Sequence, residues 1–216
     1  MKVLVLGSGA REHALVWKLA QEHPPGSVIC APGNPGIAKV GRCIPVDLAN
    51  LEAVRSLAVS ESIDLTIVGP ELPLALGIVD MFAEAGLAIF GPTRGAARIE
   101  SSKSFARDLM QRAKVPSPEF KVFKSYQEGY QFLSNHDRPV VVKADGLAAG
   151  KGVTVAATLE EAEDLYDEDI HIRDMDRFEI FIDSAFSPGG GFTTWTSDER
   201  PHGTACIFYF LSLIHI

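Results

Sequence analysis

Ten residues, Lys143-Ala-Asp-Gly-Leu-Ala-Ala-Gly-Lys-Gly152, combine the side chains and spacings that hold an anion. Lys143 and Lys151 bring positive charge, and Gly146, Gly150 and Gly152 let backbone N–H groups approach a phosphate closely. The apolar run Pro139-Val140-Val141-Val142 comes before the loop and Val153-Thr154-Val155-Ala156 after it. The order is therefore strand, glycine-rich loop, strand, and the ligand that suits it is a nucleotide phosphate. A second anion-binding pattern, Gly7-Ser8-Gly9-Ala10-Arg11-Glu12, follows the apolar run from Val3 to Leu6. It places backbone amides and a helix N-terminus at the carboxyl edge of a strand, and Arg11 adds a planar fork suited to phosphate or carboxylate. Two further strand ends carry polar groups, Glu71 after Val68-Gly69-Pro70 and Thr93 after Phe90-Gly91-Pro92. In an open α/β sheet such edges line one crevice.

Each loop also lacks part of a better-known motif. A phosphate-binding P-loop needs Gly-Lys-Ser/Thr opening a helix. Here Gly152 stands where the hydroxyl belongs, and the residues after it are β-branched. The strand–loop–strand order instead resembles the flap that ATP-grasp enzymes close over phosphates. The first loop approaches the dinucleotide fingerprint Gly-x-Gly-x-x-Gly, but Glu12 occupies the third glycine position, where it is expected to obstruct close helix–strand packing. The acid required about 20 residues further on is replaced by Ala31-Pro32-Gly33-Asn34. A nicotinamide dehydrogenase is disfavoured on both counts.

The elements that must position these groups follow from periodicity. Short apolar strands at 3–6, 28–30, 43–46, 65–68 and 87–90 alternate with helices at 11–21, 51–60 and 74–85. In the first helix Ala14, Leu15, Trp17 and Leu19 supply the apolar positions. This alternation predicts a parallel sheet covered on both faces. A helix from 102 to 114 and a Pro116-Ser117-Pro118 break lead into a smaller α+β unit. That unit has strands at 120–123, 140–143 and 153–156 and helices at 126–133 and 159–165. The expected fold is α/β: an open parallel-sheet N-terminal domain over residues 1–102, then an incomplete α+β ATP-grasp module over 103–165. Residues 166–216 form an unassigned tail.

Composition agrees with a globular protein, with 46% hydrophobic and 22% charged residues. The net charge of −8 argues against a general nucleic-acid binder. Most of it lies after Leu165, where nine acids meet three arginines and no lysine. Cys30, Cys43 and Cys206 have neither zinc spacing nor an even number, so reduced thiols are expected. No stretch reaches the roughly 18 apolar residues that a membrane span needs. The amino terminus reads as a first strand rather than a signal peptide, and a cytoplasmic protein is expected.

Six motifs in order, namely Gly7 to Ala14, Ala31 to Asn34, Val68 to Glu71, Phe90 to Thr93, Ser102-Lys103 and the loop from Lys143 to Gly152, resemble the phosphoribosylamine–glycine ligase family. That family is also called glycinamide ribonucleotide synthetase, of purine biosynthesis. The likeness runs from Met1 to about Leu165, with Ala10 standing where the family usually has glycine. It implies ATP-dependent joining of glycine to 5-phosphoribosylamine by way of glycyl phosphate, giving glycinamide ribonucleotide. By this resemblance Lys103, Lys143, Asp145, Gly146, Gly150, Lys151 and Gly152 bind ATP. Gly9, Arg11, Glu12, Asn34 and Glu71 lie near glycine and phosphoribosylamine. The implied partners are these small molecules, with no nucleic acid, no membrane and a monomeric state. The family also carries an acidic strand and a Glu/Asn pair for Mg2+, and neither is found after Leu165, where Phe178 to Ile182 is a poor substitute for that strand. No catalytic side chain is assigned and no metal ligand. The tail is read as sequence foreign to the family, and the chain as an inactive fragment. Two other readings stay open: a different ATP-grasp carboxylate–amine ligase, and a non-catalytic module that binds a nucleotide or phosphosugar.

Overall fold

The computed structural model describes residues 1–117, 119–135, 140–147, 153–156 and 178–182. The chain divides into two units, Met1–Ser101 and Ser102–Ile216. The expected helix at 159–165, Cys206, and Gly150, Lys151 and Gly152 of the glycine loop lie outside the described residues.

The first unit is built on a parallel sheet of β1 (Val3–Gly7), β2 (Val28–Pro32), β3 (Arg42–Cys43), β4 (Leu65–Val68) and β5 (Ile89–Phe90), in the order β3-β2-β1-β4-β5. β1 is central and buried along its whole length, which is why its sequence is a continuous apolar run without alternation. The connections are α1 (Ala10–Glu22), a 3₁₀ turn (Ile37–Lys39), α2 (Leu51–Ser60), α3 (Glu71–Leu76) and α4 (Ile78–Glu84), with α5 (Arg94–Ser101) closing the unit. Leu4, Leu6, Ile29, Val54, Ile78 and Phe82 form one core cluster, and Val3, Val5, Val16, Val28, Cys30 and Ile37 form another.

Three local expectations are corrected. The apolar side of α1 is not the one expected from Ala14, Leu15 and Trp17. All three are exposed, Trp17 at 54%, and the buried positions are Glu12 and Val16, one turn apart. The helix expected over 74–85 is two helices, because Gly77 takes φ +99 and ends α3 in the left-handed conformation that glycine reaches without Cβ strain. The helix expected from 102 is preceded by α5, whose charged residues hid it.

The second unit holds β6 (Glu119–Phe123), β7 (Val140–Ala144), β8 (Val153–Ala156) and β9 (Phe178–Ile182), with α6 (Lys103–Arg112) and α7 (Tyr126–Ser134). Its sheet is antiparallel throughout, in the order β6-β9-β7-β8. β9 lies inside this sheet, pairing with both β6 and β7. The segment after Leu165 therefore contributes an inner strand, a role that its acid-rich surroundings do not signal. α7 packs on β6 through a Phe123–Phe132 ring contact at 5.3 Å, with the Lys121 ammonium 4.3 Å from the Phe132 ring centre.

Candidate functional site

In the first unit the candidate residues gather at the carboxyl edge of the sheet. β1 ends at Gly7 (φ +129), and α1 starts after Gly9. β2 and the loop after it are tied to this turn by three bonds. Gly33 N–H donates to the Gly7 carbonyl at 3.0 Å, Asn34 Nδ2 to the Ser8 carbonyl at 2.8 Å, and the Cys30 thiol to the Gly7 carbonyl at 3.3 Å. Asn34 Oδ1 accepts from Gly36 N–H and Ile37 N–H at 2.8 and 2.9 Å. The Asn34 side chain thus shapes two loops at once.

Glu12 does not obstruct the packing of α1 on the sheet. Its carboxylate lies 3% exposed beneath the first loop, and Oε2 accepts from Gly9 N–H at 2.6 Å. This is the returning half of a capping box. Room for it comes from two glycines, because a Cβ on Gly7 or on Gly69 would collide with the Glu12 side chain. The acid thus fills a slot made by bare backbone at the ends of β1 and β4, while Glu12 Oε1 is buried with no hydrogen-bond partner. Gly69 belongs to this arrangement although its sequence context marks only a turn. A buried acid beside two strand-ending glycines is the signal that identifies it.

Arg11 stands on the rim, half-exposed, with a guanidinium nitrogen 3.6 Å from Glu71 at the start of α3. The structure therefore brings Gly9, Arg11, Glu12, Asn34 and Glu71 to one edge, with Arg11 and Glu71 outward and Glu12 inward. Cys30 and Cys43 face each other across the β2–β3 register as free thiols. Burial, then Cys43, then Glu12 push the Cys30 thiol up to about 12.

In the second unit the glycine loop leaves β7 through Asp145 and Gly146. Gly146 takes φ +114, and nothing lies within 4 Å of the place where a Cβ would stand. Lys143 is half-buried near the end of β7, in register with Val153 of β8. At the start of α6, Ser102 caps the helix by accepting from Phe105 N–H at 3.3 Å. The neighbouring Lys103 ammonium donates to the Gly146 carbonyl at 2.8 Å. Ser104 is 5% exposed and donates its hydroxyl to Asp145 at 2.5 Å and its N–H at 3.3 Å. Lys103, Asp145 and Gly146 are thus brought together, Ser104 joins them from outside the expected set, and Lys143 stands two residues before Asp145 on β7. Open backbone at Gly146 beside the Lys103 ammonium has the chemistry to hold an anion. Among the described residues no group of three or more His, Cys, Asp or Glu clusters, and Asp145 is engaged by two serines. No helix among them is long and apolar enough to cross a membrane.

A parallel α/β unit followed by an antiparallel sheet entered by a glycine loop is the ATP-grasp arrangement by fold. Residues 1–100 match the phosphoribosylglycinamide synthetase N domain, and residues 101–179 match the ATP-grasp (A) domain of the same synthetase. The chain belongs to the phosphoribosylglycinamide synthetase family. It is 48% identical over 167 residues to the phosphoribosylamine–glycine ligase of Caldanaerobacter subterraneus subsp. tengcongensis, a match that takes in 77% of this chain and 40% of that protein. Among solved structures, the phosphoribosylamine–glycine ligase of Thermotoga maritima superposes with a TM-score of 0.67 at 27% identity, covering 87% of this chain and 45% of that one. The N5-carboxyaminoimidazole synthetase of Staphylococcus aureus, solved with ADP, shares the fold at a TM-score of 0.66 and 14% identity, over 84% of this chain and 47% of that one. The chain spans about two-fifths of the length of the curated relatives it matches. The match to the A domain ends inside β9, so the family likeness extends beyond Leu165.

Proposed function

We propose that the chain supplies the glycine-loop nucleotide grip and the α/β substrate domain of a ligase that joins glycine to 5-phosphoribosylamine at the expense of ATP. The observation that carries this reading is the Lys103 ammonium on the Gly146 carbonyl, beside the open Gly146 backbone and three residues after Lys143 of β7. ATP supplies the phosphoryl group that activates the glycine carboxylate, and cations offset the charge spread over the transferring group. Lys103 and Lys143 have the charge and the placement for that work. In the first unit Arg11 and the exposed turn from Ser8 to Ala10 would take an anionic group. Glu71 would orient Arg11 and meet a substrate ammonium, while Glu12 and Asn34 keep the turn in shape. Among the described residues no cluster of His, Cys, Asp or Glu offers a seat for Mg2+. The reading carries with it a monomer working on small molecules in the cytoplasm.

Calorimetric titration of ATP into the 216-residue chain tests it. Lys143→Ala should weaken binding at least tenfold, the scale of one lost charge-assisted contact. Lys124→Ala, at an exposed position directly after β6, should leave binding unchanged. Equal losses for the two variants, or no binding by the unaltered chain, would overturn the assignment.

A further inference from the structure

We infer that Asp145 is a positioning residue, not a nucleotide ligand: it ties the root of the glycine loop to the start of α6 and so fixes where Lys103 stands. The inference rests on the proposed ATP grip. Asp145 sits at the end of β7, and its carboxylate is consumed by α6. Oδ2 accepts from the Ser104 hydroxyl at 2.5 Å and from the Ser102 hydroxyl at 3.4 Å, and Oδ1 accepts from Ser104 N–H at 3.3 Å. These donors are the cap and the first turn of a ten-residue helix, where a carboxylate meets unpaired N–H groups and the positive end of the helix dipole. A hydroxyl-to-carboxylate bond near 2.5 Å is among the short, charge-assisted kind.

Lys103 lies between the two serines. Its ammonium reaches back to the Gly146 carbonyl, one residue after Asp145. Strand end and helix start are therefore stitched twice in opposite polarity, acid to hydroxyl and ammonium to carbonyl. A carboxylate pointed at a triphosphate would repel it. Turned toward α6, the same carboxylate holds a lysine in place without adding negative charge on the phosphate side. Ser104 is buried and its hydroxyl bonds Asp145, so shifting Asp145 would unseat the first turn that carries Lys103.

The test uses the whole chain with Asp145→Ala, Asp145→Asn, Ser104→Ala, Lys103→Ala and the Lys103→Ala/Asp145→Ala pair. Asparagine keeps an oxygen for Ser104 N–H and loses the charge. The expected result is ATP binding about tenfold weaker in Asp145→Ala and Ser104→Ala and within about threefold of the unaltered chain in Asp145→Asn. The double variant should be no weaker than Lys103→Ala, because both changes remove the same grip. Amide exchange at Ser104, read by NMR without nucleotide, should accelerate in Asp145→Ala and stay slow in Asp145→Asn. Equal loss of affinity in the Asn and Ala variants would overturn the inference, since the charge itself would then act on the nucleotide or its cation. Unchanged Ser104 exchange in Asp145→Ala would overturn it by removing the tether, as would full ATP affinity in that variant. If the unaltered chain binds no ATP, the proposed function falls and takes the positioning role with it, while the exchange data still report the tether on their own.

Discussion

Glu12 shows how one residue can rule out one ligand and build a different surface. In a dinucleotide fold the third glycine of the loop lets the helix approach the strand and leaves the amides to a pyrophosphate. Here the chain provides its own anion, for Gly9 N–H is answered by the Glu12 carboxylate. That arrangement demands bare backbone at Gly7 and Gly69, so Gly69→Ala should destabilise the fold by about 1–3 kcal/mol through overpacking. Removing the obstructing acid in Gly69→Ala/Glu12→Ala should recover part of that loss, so that the two changes are not additive in urea denaturation. Strict additivity would show that the two side chains do not share the slot. Cys30 and Cys43 differ in a related way. Because burial holds the Cys30 thiol at about 12, brief exposure to iodoacetamide at neutral pH should label Cys43 and leave Cys30 untouched, as read by peptide mass spectrometry.

The elements were legible wherever local pattern and tertiary role coincide. β1, α2 and β4 read cleanly because all-apolar runs or a 3.6-residue period end at Gly, Pro or an Asn cap; Asn50 accepts from Ala53 N–H at 3.0 Å. The pattern places α1 correctly along the chain, but of its four expected apolar positions only Leu19 packs against the core. Its exposed Leu15 and Trp17 outweigh Val16 in any hydrophobicity count, and its other buried residue is an acid. β9 reads as a poor strand in the sequence because its partners β6 and β7 are distant along the chain, and strand preference is mostly a matter of such neighbours. The turn at Gly146 after the strand carrying Lys143 was legible from type and spacing. The pairing of Asp145 with Ser104 was not, because it joins residues far apart in sequence through a helix start. At the same scale, Glu61 after α2 ties elements together by accepting from Lys2 Nζ at 2.9 Å and Arg42 Nη1 at 2.8 Å. Its hydrogen bond with Lys2, then that with Arg42, holds its carboxyl below the ordinary glutamate value. A depressed folded pKa contributes stability above the unfolded pKa and loses it as pH falls through the folded one. The stability gap between the unaltered chain and Glu61→Gln should therefore be full at neutral pH and close as the solution is acidified below the usual glutamate range. A gap that is constant with pH would contradict the ion pairs.

At the scale of the whole molecule, the two units differ in how their sheets are assembled. The first closes among strands that follow one another closely, all before Ser101. The second needs Phe178–Ile182 to bridge β6 and β7, which have no ladder to each other in the strand order. Ending the chain at residue 165, before β9, should therefore abolish amide protection in β6 while β1, β2 and β4 keep theirs. Hydrogen exchange read by mass spectrometry would show this, and retained protection in β6 would contradict the inner placement of β9. The same order has a consequence for synthesis on the ribosome, where amino-terminal domains generally fold first. The nascent parallel sheet can close as soon as Phe90 is free, whereas the β6 edge must wait, unpaired and prone to mispairing, until translation has delivered Ile182. A chaperone that shields an open strand edge would find its client in that interval.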